Sequence, residues 1–230
     1  MTIAIIPAKG FSQRIPRKNI KNFYGKPIIS HSIETAKKSG LFKHIIVSTE
    51  DPQIAEIVKE YGAEVPFMYP RDKVSDTSKA FSHVSYTLEK LGVKDNEIVC
   101  CLYATAPLLD PEYLIEGYTT FINHKYDFIL AATTFEFPVY RSLRLWTDYM
   151  TVEPAFGELI NERSQDLTSL YHDAGQFYWG RANTFIKNDT IFKNPENSVG
   201  AVFIPRGQCI DIDTKEDWKI AEALYTIKNG

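Results

Sequence analysis

The chain has 230 residues, of which 44% are hydrophobic and 24% charged, a composition typical of a globular protein with a core of its own. Its formal net charge of −3 argues against non-specific binding to nucleic acid, which needs a broad basic surface. The three cysteines give neither a disulfide framework nor a metal-ligand spacing, and no apolar run approaches the roughly 20 residues that span a bilayer. We therefore expect a single domain over residues 1–230, located in the cytoplasm, with no membrane and no nucleic-acid partner.

Apolar runs alternate with segments of helical period, which predicts an α/β fold with a mostly parallel sheet. Helices are predicted after Asp51-Pro52 and after Asp110-Pro111, because each pair places an N-cap residue before a proline in the first turn. Two further helices are predicted over 79–91 and 214–228. The predicted strands are 3–8, 44–48, 97–103, 127–134, 175–180 and 199–205.

Residues 136–170 break this alternation, because they are rich in aromatic side chains and follow neither period. A loop of this length inside a compact domain is uncommon unless it is functional or packs against something else. We interpret the segment as a protruding arm, with a hairpin as one form it can take. The arm either covers the site or reaches a second subunit.

The first 33 residues hold six Lys or Arg and no acid, whereas the remainder holds twenty basic against twenty-nine acidic residues. Most of this cluster lies in the loop 7–19, directly after the first predicted strand, where α/β proteins bind phosphate groups. Gly10 permits a positive φ and a close approach of the backbone to a ligand, while Lys9, Ser12, Arg14 and Lys18 offer donors to phosphate oxygens. The loop is neither a Walker P-loop nor a dinucleotide fingerprint. The alternative is a solvated, charged surface loop.

A pair of acids stands just before the last predicted helix, at Asp211 and Asp213. In a strand these residues share a face, while the isoleucines between and before them point into the core. Adjacent carboxylates are ligands that Mg²⁺ takes in proteins. The alternative is that one aspartate caps the helix or faces water.

Three further segments carry polar side chains. Residues 102–108 end a strand, where ligands sit in open α/β sheets. Residues 75–78 precede a helix and can be an N-cap alone. Residues 171–180 combine hydrogen-bonding and aromatic side chains in a way that suits either a sugar pocket or a core. Within them, His172 is either a base or an ordinary surface histidine.

Together these segments resemble the CMP-sialic acid synthetase family, the cytidylyltransferases that activate nine-carbon acidic sugars. The resemblance covers essentially the whole chain and keeps the order of four motifs: A-[RK]-x-x-S-x-x-[IL]-P-x-K-N at 8–19, V-S-T-D at 47–50, S-D-T at 75–77 and D-I-D-T at 211–214. Within the family, 103–107, 163–167 and 171–180 are most similar to the pseudaminic acid branch. Three positions depart from the family pattern: Lys9 stands where many members have Arg, Phe11 where they often have Gly or Asn, and Glu50 where they have Asp.

The resemblance implies a Rossmann-like, mostly parallel sheet of the nucleotide-diphospho-sugar transferase type. It also implies a homodimer formed through the irregular arm, and Mg²⁺ or another divalent metal such as Mn²⁺ at Asp211 and Asp213. The catalytic residues would be Lys18 and Asp213. The nucleotide-binding residues it implies are Ala8, Lys9, Gly10, Ser12, Arg14, Lys18, Asn19 and Asp76. The sugar-binding residues it implies are Tyr103, Thr105, Arg141, Arg163, Gln176 and Tyr178.

The activity that the resemblance implies is transfer of CMP from CTP to the anomeric hydroxyl of a nine-carbon acidic 2-keto sugar, with release of pyrophosphate. Pseudaminic acid is the first candidate, and sialic, legionaminic or keto-deoxyoctonic acid are alternatives. An alternative from another functional class is a non-catalytic module that binds a nucleotide or sugar. The paired acids argue against that reading, because binding an anionic ligand gains nothing from clustered carboxylates.

Overall fold

The computed structural model describes residues 1–73, 79–146, 150–192 and 194–230. The strands are β1 (Thr2–Pro7), β2 (Asn22–Phe23), β3 (Lys26–Pro27), β4 (His44–Ser48), β5 (Ile98–Leu102), β6 (Phe128–Thr134), β7 (Leu143–Trp146), β8 (Thr151–Pro154), β9 (Tyr171–Arg181) and β10 (Val199–Phe203). The helices are α1 (Ile28–Ser39), α2 (Pro52–Glu60), α3 (Ala80–Leu91), α4 (Pro111–Asn123), α5 (Ala182–Lys187) and α6 (Lys215–Asn229). Short 3-10 turns lie at Lys18–Ile20, Arg71–Lys73, Val139–Arg141, Gly157–Asn161, Ser164–Asp166 and Arg206–Gln208.

The central sheet has six strands in the order β10-β6-β9-β5-β1-β4. β9 runs antiparallel to both of its neighbours, and the other pairings are parallel. The predicted mostly parallel α/β sheet is therefore confirmed. Because β1, β4 and β5 run in the same direction, their carboxyl ends meet at one edge, where open α/β sheets bind ligands.

The sheet is covered by helices on both faces, which explains why its central strands are continuous apolar runs. Helices α1, α2 and α4 pack on one face and α3 and α5 on the other. Adjacent side chains of β5 show the alternation directly, since Cys100 lies in the first of these two cores and Cys101 in the second. Both cysteines are fully buried, as expected for small core residues.

A third, smaller core joins the two ends of the chain. Ile15 of the N-terminal loop and Ile212 between the two aspartates are both buried in it, together with Trp218 of α6. Burial of Ile15 and Ile212 in one cluster brings the polar residues beside them to the same side of the molecule. This packing builds the site described below.

The helices predicted after Asp51 and after Asp110 and from residue 214 all begin where predicted, and the capping hydrogen bond forms in two of the three. Asp51 caps α2 by accepting hydrogen bonds from the backbone N–H groups of residues 53 and 54, and Thr214 forms a capping box with Asp217 at the start of α6. Asp110 precedes α4 but makes no capping hydrogen bond; its carboxylate accepts one from Lys228 at 2.6 Å. Helix α1 was not predicted.

The segment 136–170 contains a hairpin, in which β7 pairs antiparallel with β8. Large apolar side chains are exposed along it, including Trp146 at 51%, Met150 at 78% and Val152 at 58%. Among the described residues, none of the helices combines the length and apolar character needed to cross a bilayer.

Candidate active site

A cleft of about 450 Å³ opens at the carboxyl ends of β1 and β5. The loop after β1 forms one wall, the start of α3 and residues 103–105 form another, and Asp213 closes the end. The lining residues are Pro7, Lys9, Phe11, Ser12, Gln13, Arg14, Lys18, Asn19, Ala80, His83, Tyr103, Ala104, Thr105 and Asp213.

The beginning of the N-terminal loop continues the sheet and then turns away from it. The backbone N–H of Ala8 donates to the carbonyl of Ser48, and the side-chain amide of Asn19 donates to the carbonyl of Lys9 at 2.9 Å. Gly10 does not have the positive φ that the sequence led us to expect. Its lack of a side chain is needed instead because a Cβ there would lie 2.7 Å from the Cβ of Asp51.

The cationic loop meets the C-terminal acids across the cleft. Arg14 forms an ion pair with Asp213 at 2.9 Å, and the Lys18 ammonium lies 3.3 Å from the other carboxylate oxygen of that residue. Lys18 also donates to the carbonyl of Ile212 at 2.5 Å. Lys18 is mostly buried whereas Arg14 is exposed, so the Lys18 ammonium is the more firmly held of the two cations.

The segment with the paired acids is not part of a strand, so the face that the two acids would share in a strand does not apply directly. The alternation of burial holds in part, because Ile212 is fully buried while Asp211 is exposed and Asp213, which is half-buried, lines the cleft. Desolvation of the carboxyl group, followed by repulsion from Asp213, raises the pKa of Asp211. Gly175 lies beside it with a φ of +61°, and a Cβ there would come within 3.1 Å of the Asp211 carboxyl carbon.

No group of three or more His, Cys, Asp or Glu that could hold a metal is present within residues 1–73, 79–146, 150–192 and 194–230. The donor set at this point is a pair of carboxylates, and repulsion from Asp213 adds to desolvation in raising the pKa of Asp211. Two carboxylates fit a hard divalent cation that takes its remaining ligands from water and substrate oxygens.

The predicted sugar-binding residues do not all lie together. Tyr103 and Thr105 line the cleft, and Tyr103 also borders an adjoining cavity of about 380 Å³ that includes Tyr178. The Tyr178 hydroxyl donates to Asp173 at 2.6 Å, and burial raises the pKa values of both tyrosines. Asp173 also lines the adjoining cavity, although the sequence did not single it out for the site.

Gln176 does not line the cleft, contrary to the prediction. Its side chain is fully buried, and its amide donates to the carbonyls of Ala174, Gly175 and Ile210. These bonds tie β9 to the segment that carries the two acids. Gln176 therefore helps to hold the segment with Asp211 and Asp213 in place, without lining the cleft itself.

Arg141 and Arg163 lie in the arm and outside the cleft. Arg141 donates to the carbonyls of Ile160 and Glu162, and Arg163 forms an exposed ion pair with Asp166 at 2.6 Å. His172 is exposed on β9, with its ring beside Phe135. Asp76, expected at the nucleotide, lies outside the described residues.

His83 lines the cleft although the sequence gave no reason to select it. Its ring is fully buried, stacks on Tyr69 with 3.9 Å between ring centroids, and places Nδ1 3.3 Å from the Ser48 hydroxyl. Its Nε2 is buried and has no hydrogen-bond partner among the described residues. Burial, and then the positive charge of Lys9, lower the pKa of His83 to about 4, so its ring is neutral at pH 7.

The proteins to which this chain is similar are cytidylyltransferases and related synthases of CMP-sugars. It is 42% identical over 233 aligned positions to the pseudaminic acid cytidylyltransferase of Campylobacter jejuni, covering 99% of this chain and 97% of that protein. It is 31% identical to the CMP-N,N'-diacetyllegionaminic acid synthase of Legionella pneumophila, with 98% and 96% covered. Its fold is similar to that of CMP:2-keto-3-deoxy-manno-octonic acid synthetase in complex with CTP, with a TM-score of 0.75, 15% sequence identity and 99% of both chains covered.

The family model described as Cytidylyltransferase matches residues 3–201, a span that includes all of β1 but its first residue, the N-terminal loop, the arm and β9. The match, the two full-length relatives and the cleft with its cationic loop all agree, and the chain belongs to the cytidylyltransferase family.

Proposed function

We propose that this protein transfers CMP from CTP to the anomeric hydroxyl of a nine-carbon acidic 2-keto sugar, with pseudaminic acid as the preferred acceptor, and releases pyrophosphate. The observation that carries the proposal is the meeting of Lys18 and Arg14 with Asp213 in one cleft. The sugar is taken from the relatives, since the full-length relative of 42% identity acts on pseudaminic acid by its name.

In the proposed reaction the anomeric oxygen attacks the α-phosphorus of CTP. A bond forms between that oxygen and the phosphorus, the bond to the β-phosphate oxygen breaks, and the electron pair leaves with pyrophosphate. The hydroxyl proton must pass to a base, for which Asp213 is our candidate. The reaction depends on alignment and charge neutralisation more than on covalent catalysis by the protein.

Lys18 and the loop residues neutralise the triphosphate. Lys9, Ser12 and Arg14 line the same cleft as Lys18, so their donors converge on one volume. Charge grows on the leaving pyrophosphate in the transition state, and donors fixed in advance stabilise it without reorganising. Lys18 is suited to this role because its ammonium is already held by the Ile212 carbonyl.

Asp211 and Asp213 are the residues that would hold a divalent metal, with Mg²⁺ as first choice and Mn²⁺ as an alternative. When bound, such a cation screens phosphate charge and increases the acidity of a coordinated hydroxyl or water. It would also offset the desolvation and the repulsion from Asp213 that together raise the pKa of Asp211. We expect chelation with EDTA to abolish pyrophosphate release and added Mg²⁺ to restore it.

The sugar would occupy the side of the cleft formed by Tyr103 and Thr105 and extend toward Tyr178. Arg141 and Arg163 remain our candidates for binding the sugar carboxylate. Because they sit in the arm and outside their own cleft, this role needs the arm to close over the site or to reach a second subunit.

We further propose that the arm forms a homodimer. Its exposed apolar side chains at Leu145, Trp146 and Val152 are the kind of surface that a partner copy covers. Light scattering should give twice the mass of the chain, and Trp146→Glu should give a monomer with its circular dichroism unchanged. A wild-type protein that scatters as a monomer at all concentrations would contradict this.

The test of substrate choice is a pyrophosphate-release assay that crosses four nucleoside triphosphates with pseudaminic, legionaminic, sialic and keto-deoxyoctonic acids. We expect CTP with pseudaminic acid to give the highest kcat/KM. A higher value with legionaminic acid would favour the second relative's reaction. Ligand binding without pyrophosphate release would favour a non-catalytic module.

The test of the loop is Lys18→Ala. Loss of a transition-state donor of this type slows turnover by on the order of 10²–10³. Lys38→Ala removes an exposed lysine of α1 outside the cleft and serves as the matched control. Near wild-type turnover by Lys18→Ala would refute the assignment of the loop.

A further inference from the structure

The end of β4 is joined to the N-terminal loop by two consecutive acids whose side chains both reach Gly10. Glu50 accepts a hydrogen bond from the Gly10 backbone N–H at 2.6 Å, and this bond is buried. Arg17 donates to the Gly10 carbonyl at 2.9 Å and is itself paired with Asp51. Both polar backbone groups of Gly10 are therefore held, the N–H by Glu50 directly and the carbonyl by Arg17, which Asp51 anchors.

The geometry leaves little room for another arrangement. The side chain of Asp51 occupies the space that a Cβ of residue 10 would need. Asp51 also caps α2, so its position is fixed by the helix as well as by Arg17. The hydrogen bond to Arg17 is the main cause that lowers the pKa of Asp51, so the carboxylate is charged at neutral pH. Arg17 has a left-handed backbone with a φ of 56°, a strained conformation for a residue other than glycine.

Burial of the Glu50 side chain lowers the stability of the folded protein. The residue is 9% exposed, and its second carboxylate oxygen is buried without a hydrogen-bond partner among the described residues. A buried carboxylate oxygen without a donor costs free energy. The length of the Glu50 side chain lets its carboxylate extend to the Gly10 N–H. The carboxylate of the family's usual aspartate would lie one methylene closer to the β4 backbone.

We propose that Glu50 is a positioning residue that sets the conformation of the nucleotide loop through the Gly10 backbone, with Asp51 and Arg17 as the other half of the same clamp. The clamp lies on the side of Gly10 away from the cleft, whereas Lys9 and Phe11, the residues before and after it, line the cleft. Since Glu50 takes the Gly10 N–H, this backbone group does not bind phosphate. The side chains of the loop then carry the contacts with the triphosphate.

The inference rests on the proposed function only in naming CTP as the ligand. The experiment compares two substitutions of Glu50 that separate the effect of side-chain length from the effect of charge. Glu50→Asp keeps the charge but shortens the side chain, and Glu50→Gln keeps the reach and an acceptor oxygen but removes the charge. Glu56→Gln, an exposed residue of α2, is the matched control.

Calorimetric titration with CTP and steady-state kinetics are the measurements. We expect Glu50→Asp to weaken CTP binding and raise its KM by about tenfold, the scale of one hydrogen bond to a charged group, with the KM of the sugar unchanged. Glu50→Gln should stay within about threefold of wild type. A merely structural role would lower the melting temperature of both variants without separating the two substrates.

Wild-type CTP affinity in Glu50→Asp would overturn the proposal, and so would equal losses in the Asp and Gln variants. A second measurement needs no variant: hydrogen exchange followed by NMR should find the Gly10 amide protected in the free protein, with no further protection when CTP is added. Fast exchange of that amide in the free protein would also overturn the proposal. Because these readouts use CTP alone, they remain valid if the substrate-crossing assay identifies another sugar.

Discussion

The lowered pKa of His83 leads to a quantitative prediction about how the stability of the protein depends on pH. We consider His83→Phe, which keeps an aromatic ring against Tyr69 and removes the titrating group. In the folded protein, burial and the nearby Lys9 charge lower the pKa of His83 from 6.5 to about 4. The unfolded chain therefore binds a proton at this residue first as the pH falls.

The sign and size follow from proton linkage. A folded-state pKa below the unfolded value gives stability that is complete above pH 6.5 and is lost as the pH falls toward 4. With these two pKa values, the contribution of His83 makes the free energy of unfolding about 2 kcal/mol smaller at pH 5 than at pH 7. His83→Phe removes that contribution whatever its own effect on stability at pH 7.

The assay is urea unfolding followed by circular dichroism at both pH values. The wild type should lose about 2 kcal/mol more than His83→Phe between pH 7 and pH 5. His124→Gln, which removes an exposed histidine, is the control and should follow the wild type. If the wild type and His83→Phe lose the same free energy, the burial argument for His83 is refuted.

Three other substitutions test individual features of the site and of α6. Gly175→Ala places a methyl group 3.1 Å from the Asp211 carboxyl carbon in a left-handed position, so pyrophosphate release should slow at least about tenfold; unchanged turnover would show that Asp211 tolerates displacement. Thr214→Ala removes the cap of α6 and should reduce the free energy of unfolding by about 1 kcal/mol in urea; no change would mean that the cap is replaced by water. Lys228→Met breaks the partly exposed pair with Asp110 and should cost less than about 1 kcal/mol in the same assay, and a larger loss would show that this contact holds α6 in place.

Much of the fold could be predicted because strands and caps carry local signals. The boundaries of β4 agree with the prediction at both ends, and α2 and α6 begin where Asp51 and Thr214 indicated. Asp110 shows the limit of such signals. Its side chain is used by Lys228, a residue 118 positions away, and no local pattern contains that information.

Helix α1 was missed for a physical reason. It has no capping side chain, and its buried positions include polar residues that break the apolar period. Ser32 and Thr35 are buried because their hydroxyls donate to the carbonyls of Tyr103 and Leu109. These partners belong to the chain after β5, so the burial of the helix depends on tertiary contacts.

The site was predicted best where chemistry and position coincide. The cationic loop and Asp213 do meet, because Ile15 and Ile212 bring them into a common core. Gln176 was misplaced because strand alternation does not say whether an inward-facing amide meets a cavity or a backbone. His83 was missed because a single histidine near the start of a helix carries no pattern.

The contact between Lys18 and Asp213 spans 195 positions of the chain. During synthesis, the cationic loop therefore leaves the ribosome 195 positions ahead of its acidic counterpart. A nascent chain therefore exposes these cations before Asp213 can pair with them. The site is therefore completed only when the segment that carries Asp213 packs with the loop in the third core, next to α6.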